Sequence, residues 1–403
     1  MSQSQSEERP NILFIQVDQL APQALSVYGH PIVKTPNLDA LASRSVIFEN
    51  AYCNYPLCSP SRASMLASKL AFNIDQWDNG AEFHAEIPTV AHYLRDLGYS
   101  ATLCGKMHFI GPDQYHGYED RLTTDIYPSN FSWTPNWDEG FRKGGGIRVR
   151  NTIESGSCIR SMQIDFDDEV EYEAVQKIFD LAREPDDRPF FLTVSFTHPH
   201  SPYLISEKYW DMYADVEIDM PKVPAIPYAD LDPFSQARYV AMGHPYYTIT
   251  EDHIRTARRA YYGMISYIDD KVGRVLDTLR EAQLDENTIV IFASDHGEML
   301  GERGMWLKDT FFEWSVRVPL FIAGPDMTPR RISQNMSLVD LTPTILELAG
   351  KDTEPVDPFD GDSLVPLLQG NTEGWKDEAI SEYAATGHPA PSRMIRQGDY
   401  KYW

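Results

Sequence analysis

Two apolar runs in this sequence end in acids. Asn11 to Val17 (NILFIQV) leads into Asp18, and Thr288 to Ser294 (TIVIFAS) leads into Asp295 with His296 beside it. A single acid at a strand end is as readily a cap for the next turn. Two carboxylates and an imidazole are also a donor set for a divalent cation, which would polarise an oxygen or lower the pKa of a nucleophile. Basic groups follow other runs: Lys106 and His108 in Gly105-Lys106-Met107-His108, His198 and His200 in Thr197-His198-Pro199-His200, and Lys308 in the loop after Asp295. Each histidine alone reads as a hydrogen-bonded structural residue. A cationic group gathered at one edge with the acids suits a small anionic substrate. The segment Cys58-Ser59-Pro60-Ser61-Arg62 has two readings. It is either a turn at Pro60 leading into a helix from Arg62 to Lys69, with Cys58 a small buried residue, or a thiol just before a helix N-terminus, in an anion-friendly field with Arg62 one turn away.

These residues act together only if the chain gathers them. Asn11–Val17, Ser100–Gly105, Phe190–Thr197, Thr288–Ser294 and Val318–Ala323 have the length and continuous apolar character of buried strands. Helical signals lie between them. Thr35-Pro36 opens a helix to about Arg44, with Thr35 as N-cap; Asp167 to about Arg183 is periodic; and Glu251 to about Ala282 is a long amphipathic stretch with a break near Asp269-Asp270. Leu341 to Leu348 is a helix stopped by Gly350. Strands separated by helices imply a doubly wound α/β sheet, in which ligands bind outside the carboxyl ends of the strands. The long irregular stretches 109–160 and 200–250 read as lids or substrate walls.

Composition narrows the class. The 403 residues include 35 basic and 60 acidic side chains, a formal charge of −25, which repels phosphate backbones and anionic lipids. No nucleic-acid or membrane partner is expected. Hydrophobic residues at 42% exclude disorder. Four cysteines without C-x-x-C spacing exclude a disulfide scaffold and a structural zinc site. The polar start and the lack of any run of 18 apolar residues predict neither a secretory signal nor a membrane span, so a cytoplasmic location is expected.

Taken together, several motifs resemble the sulfatase family of the alkaline phosphatase superfamily, over essentially the whole chain. They are C-x-P-S-R (Cys58 to Arg62), the opening Pro10 to Asp18, T-P-N-L-D-A-L-A (Thr35 to Ala42), G-K-x-H (Gly105 to His108), T-H-P-H, S-D-H-G (Ser294 to Gly297) and L-x-P-T-I-L-E-L-A-G from Leu341. Asp78-Asn79, Gly111 to Gln114, Leu122 to Pro128, Trp133-Thr134-Pro135 and Met299 to Gly304 with Lys308 are most similar to choline sulfatases. The resemblance implies a large, mostly parallel sheet flanked by helices over 1–350, and a smaller C-terminal α+β subdomain from 351 to 403 that continues past Trp403 in relatives. It also implies oxidation of Cys58 to 3-oxoalanine (formylglycine) by a formylglycine-generating enzyme, and one divalent cation held by Asp18, Asp295, His296 and the modified Cys58. Calcium is the family expectation, whereas the imidazole favours manganese. A hydroxyl of the hydrated aldehyde would attack sulfur, with Arg62, Lys106 and Lys308 neutralising the sulfate oxygens. His198 would protonate the leaving alcohol, His108 would take a proton from the second hydroxyl, and Asn79 would bond the ester. Trp133 and Glu382 would hold a quaternary ammonium; His200 is assigned no catalytic role.

The sequence departs from this pattern in two places. Residues 138–160 carry Arg142, Lys143, Arg148 and Arg150 where choline sulfatases have aromatics, which suits an anionic or neutral leaving group or a subunit contact. Ala67-Ser68-Lys69 replaces the small residue and glycine that usually complete the signature. The expected activity is hydrolysis of a small sulfate ester by a homo-oligomer, a dimer or tetramer. The alternatives are a phosphonate monoester or phosphodiester hydrolase of the same superfamily, and a non-catalytic anion-binding relative.

Overall fold

The NILFIQV run is a strand buried from Ile12 to Val17 because helices cover both faces of its sheet. The computed structural model describes residues 9–134, 149–184, 186–325, 327–350, 355–386 and 389–403. Its strands in chain order are β1 (Asn11–Val17), β2 (Val46–Tyr52), β3 (Ser100–Gly105), β4 (Asp120–Arg121), β5 (Gly156–Cys158), β6 (Phe190–Ser195) and β7 (Leu204–Ser206). They are followed by β8 (Thr288–Ser294), β9 (Arg317–Ala323), β10 (Arg330–Ser337), β11 (Glu378–Ala385), β12 (Pro389–Gln397) and β13 (Tyr400–Tyr402). Eight of them form one sheet in the order β10-β2-β9-β8-β1-β6-β3-β4, while β5 pairs with β7.

Alternate residues of the central strands feed two separate cores. Ile12 and Phe14 join a cluster with Leu66, Leu94 and Ile345; Leu13, Ile15 and Val17 join one with Leu38, Ile164 and Ile265. The helices Cys58–Ala67, Val90–Asp96 and Leu341–Leu348 therefore cover one face, and Pro36–Ser43, Met162–Arg183 and Glu251–Glu281 the other. The sheet is mixed rather than wholly parallel, because β9 runs antiparallel to both β2 and β8. This reversal puts the amino end of β9 at the sheet edge where its neighbours have their carboxyl ends, so the loop carrying Lys308 arrives there.

Local readings are corrected at several helices. Glu251–Glu281 is unbroken at Asp269-Asp270. Asp269 accepts the amides of Asn37 (3.1 Å) and Leu38 (2.8 Å), capping the neighbouring helix Pro36–Ser43 from outside. Thr35 occupies the N-cap position of that helix without a side-chain cap bond. The helix Met162–Arg183 starts before Asp167, because Ser161 Oγ accepts the Ile164 amide at 3.2 Å. The signature helix begins at Cys58, not Arg62. Pro60 sits in its first turn, where a missing N–H costs nothing. The strands β2 and β10 escape the apolar pattern because they carry Glu49, Asn50, Arg330, Arg331 and Asn335.

The smaller C-terminal part contains the helix Val365–Leu368 and the antiparallel sheet β11-β12-β13. It is tied to the segment after β2: Asn54 Nδ2 donates to Ile380 O at 2.9 Å, and Tyr55 Oη accepts the Ala384 amide at 2.6 Å.

Gly105 ends β3 with φ +106°, and a Cβ there would lie 1.9 Å from Ser195 O of β6. Gly350, at φ +87°, has nothing within 4 Å of its position for a Cβ. Gly350→Ala is therefore expected to cost about 1–2 kcal/mol from the left-handed backbone alone. Gly105→Ala adds a backbone collision and is expected to cost about 2–5 kcal/mol. Urea unfolding of the two variants checks the order; equal losses would contradict it.

Candidate active site

The site is built at the shared edge of the sheet. Leu57 is extended (φ −157°), and the chain turns into the helix at Cys58, whose ten residues through Ala67 are all buried. Asn79 lies beside this start: its Oδ1 accepts the Ser59 amide at 3.0 Å, satisfying one of the amides the first helical turn leaves free. Burial pushes the Cys58 thiol up, but Lys106, Lys308, His296 and His108 together bring it well below the usual thiol value.

Four donor atoms converge here, one each from Asp18, Cys58, Asp295 and His296, all within 4.8 Å of one another. Cys58 Sγ lies 3.2 Å from His296 Nε2, and that nitrogen is 3.7 Å from both Asp18 Oδ1 and Asp295 Oδ1. The outer oxygens of the same carboxylates are taken by cations. Arg62 Nε donates to Asp295 Oδ2 at 2.8 Å, Arg62 Nη2 to Asp18 Oδ2 at 3.2 Å, and Lys106 Nζ also to Asp18 Oδ2. Burial and Cys58 raise Asp18, yet Lys106, His200 and Arg62 hold it well below the usual carboxylate range. His296 Nδ1 is 3.0 Å from Gly297 O, which assigns Nδ1 a proton and turns Nε2 toward the carboxylates. The residues fit a divalent cation: two inward oxygens, an oriented imidazole and a sulfur position, each fixed by a second contact.

Arg62 is wholly engaged. Besides the two acids, its Nη1 donates to Gln16 Oε1 (3.2 Å), Lys106 O (2.6 Å) and Ser195 Oγ (2.8 Å). Its place is thus behind the acids rather than against a substrate oxygen. Lys106 has Asp18 on one side and the Tyr127 ring 4.3 Å away on the other. Lys308 Nζ donates to Gln19 Oε1 and to His200 Nε2, the latter at 2.7 Å, and Gln19 is in turn held by Glu298.

The histidines divide differently from the sequence expectation. His198 turns away toward the long helices: its Nδ1 is 2.6 Å from Asp167 Oδ2, and its ring meets Tyr267 edge-on at 4.9 Å. Asp167 also accepts the amides of Thr197 and His198, fixing the turn. His200 is the member that reaches Lys308. Burial and Lys308 depress it to about 4, with Asp18 and Cys58 opposing, so it is a neutral acceptor. His108, in a left-handed conformation (φ 61°), has no hydrogen-bond partner for either ring nitrogen among the described residues. Its loop is set by Asp125, which accepts the amides of Met107 and His108.

At the rim, Trp133 is 39% exposed and packs 5.1 Å from Tyr127 and 5.2 Å from His108. Glu382 is not brought into the cluster. Its carboxylate accepts the Phe72 amide (2.8 Å) and Arg393 Nε (2.7 Å), which leaves it no free role toward an ammonium. Arg142, Lys143 and Arg148 lie outside the described residues; Arg150 is exposed and paired with Glu154.

A family model described as sulfatase matches residues 10–351. The chain belongs to the sulfatase family. A second model, N-sulphoglucosamine sulphohydrolase, C-terminal, matches residues 301–402. A choline-sulfatase of Rhizobium meliloti (strain 1021) is 46% identical over 404 residues, 98% of this chain and 78% of that protein. An arylsulfatase of Clostridium perfringens is 30% identical over 98% of this chain and 85% of its own length. Among solved structures, the phosphonate monoester hydrolase of Agrobacterium radiobacter superposes with a TM-score of 0.77 at 27% identity, covering 98% of this chain and 87% of that one. This sulfatase is thus a sulfuric ester hydrolase with an alkaline phosphatase-like fold.

Sequence reasoning passed over Gln16, Gln19, Tyr127, Asp167 and Ser195 as parts of this sulfatase's site, and named His200 without a catalytic role. The available signal was positional: Gln16 and Ser195 are near the ends of β1 and β6, where side chains reach the ligand edge. The two histidines of T-H-P-H are expected to separate in kinetics. His200→Ala should lower kcat on alkyl sulfates by about 100-fold or more but act far less on 4-nitrophenyl sulfate, whose phenolate leaves without a proton. His198→Ala should mainly lower stability, by about 1–3 kcal/mol, by removing a partner of buried Asp167. Steady-state kinetics on both esters and thermal melting check this; the reverse assignment would appear as the opposite pattern.

Proposed function

We propose that this sulfatase cleaves sulfate esters of small alcohols to the alcohol and inorganic sulfate, with Cys58 oxidised to formylglycine and one divalent cation between Asp18, Asp295 and His296. The reading is carried by one observation: Cys58 Sγ, at a helix N-terminus, lies 3.2 Å from His296 Nε2 among the inward oxygens of two acids. The thiol stands where the oxygens of the oxidised residue would be. When bound, the cation polarises a sulfate oxygen, and the oxidised Cys58 supplies the oxygen nucleophile.

The chain's own residues do the rest. Arg62 and Lys106 fix the outer oxygens of Asp18 and Asp295, so the inner ones keep their aim. Lys106 and Lys308 bring positive charge to an anionic ester in a buried site, where charge-assisted bonds are strong. His108, with both nitrogens unpartnered, takes a proton beside Cys58. The Lys308–His200 pair holds the proton that passes to the leaving alcohol oxygen. Trp133 and Tyr127 offer aromatic faces, and the 46% identity to a choline-sulfatase makes choline sulfate the first ester to try. The second reading, phosphonate monoester hydrolysis, is favoured by the superposition on such an enzyme. A panel of both ester types separates the two.

The decisive experiment is the mass of the tryptic peptide Ser45 to Arg62 with and without thiol alkylation, Cys53 serving as internal control. Cys53 alkylated with Cys58 as the aldehyde or its hydrate is the expected result. A chain co-produced with a formylglycine-generating enzyme that still alkylates at both would sink the proposal.

Removal of metal by a chelator should abolish turnover. Because imidazole is a poor calcium ligand, manganese should restore activity better than calcium. Activity that survives chelation and exhaustive dialysis would rule out the cation.

A further inference from the structure

Arg238 stands in the helix Pro233–Ala241, inside the proline- and tyrosine-rich stretch, and is 1% exposed. Its Nη2 donates to Asp309 Oδ2 at 3.0 Å. Its Nε and Nη1 are buried and have no hydrogen-bond partner among the described residues. The guanidinium lies 4.9 Å from the centre of the Tyr383 ring, and Phe234 of the same helix stacks on Phe311 at 5.1 Å.

This region adjoins the sulfate-binding cluster. Asp309 follows Lys308 directly, its amide donates to Pro56 O at 3.2 Å, two residues before Cys58, and its Oδ1 accepts from Thr386 Oγ1 at 3.2 Å. The hydroxyl of Thr310 is also buried without a partner among the described residues. The segment that carries Lys308 into the site therefore also holds Arg238 through Asp309, and is itself bonded to the segment that leads into Cys58.

A buried N–H without an acceptor costs more than the bond it forgoes, and a guanidinium carries the penalty at each unpaired nitrogen. Asp309 already balances the charge, so what the region lacks is acceptor oxygen. A quaternary ammonium has no lone pair to give.

We propose that Arg238, with Thr310 next in the chain to its partner Asp309, is a specificity subsite for the alcohol half of the ester, selecting alcohols that bear a hydroxyl or carboxylate oxygen over alkyl or quaternary ammonium alcohols. This rests on the sulfate-ester reading above and narrows its substrate class.

The test uses the enzyme with oxidised Cys58 on propyl sulfate, 3-hydroxypropyl sulfate, 3-sulfooxypropanoate and choline sulfate, with 4-nitrophenyl sulfate as reference. In the wild type, kcat/KM for the better oxygenated ester should exceed that for propyl sulfate by about 10- to 100-fold. Whether the hydroxyl or the carboxylate compound leads identifies which oxygen the subsite takes. In Arg238→Met the ratio should fall toward one. Because that change strands the Asp309 charge, Arg238→Met with Asp309→Asn is measured alongside, and both are checked by thermal melting. Propyl or choline sulfate matching the oxygenated esters in the wild type, or an unchanged ratio in the double variant, overturns the subsite. No turnover of any sulfate ester, the reference included, overturns the function itself and the subsite with it.

Discussion

The site depends on one buried guanidinium. Arg62 is wholly inaccessible and spans Asp18 at the end of β1 and Asp295 at the end of β8, while also bonding Gln16, Ser195 and the carbonyl of Lys106. Two carboxylates this close would repel each other strongly in a low-dielectric interior. The guanidinium offsets that repulsion, and its fixed fork sets which oxygen of each acid faces inward. The helix Cys58–Ala67 carries Arg62 one turn after Cys58, so the contact that orders the acids also registers the sulfur against them. Lysine could supply the charge but not the fork.

Around this contact the sheet acts as a positioning device. Parallel strands deliver Asp18, Lys106, the T-H-P-H turn and Asp295 from their carboxyl ends, and the reversed β9 lets its preceding loop return Lys308 to the same edge. Gly105 allows β3 to end against Ser195 O, which directs Lys106 inward. The cations are thus arranged by topology, though sequence separates Lys106 from Lys308 by 202 residues.

Much of this was legible in the sequence. Strands buried on both faces write themselves as continuous apolar runs, so β1, β3, β6 and β8 and the acids that end β1 and β8 could be read directly. The polar strands β2 and β10 could not, and the direction of β9 has no local signature. Within the site, Asp18, Cys58, Arg62, Lys106, Asp295, His296 and Lys308 came from motif and position. Which histidine of T-H-P-H faces the site did not, because the choice is made by Asp167, thirty-one residues upstream of the His198 ring it captures. Glu382 misled for a similar reason: its neighbour on the antiparallel pair, Arg393, engages the carboxylate.

Cys58 is 1% exposed, and every residue of its helix is buried. Its sulfur is therefore out of reach of any other protein once the chain has folded. Whatever chemistry is done to that side chain by another enzyme has to be done while the chain is still open. On the proposed oxidation of Cys58, maturation and folding are two clocks running on the same molecule, and a chain that closes too early keeps its thiol.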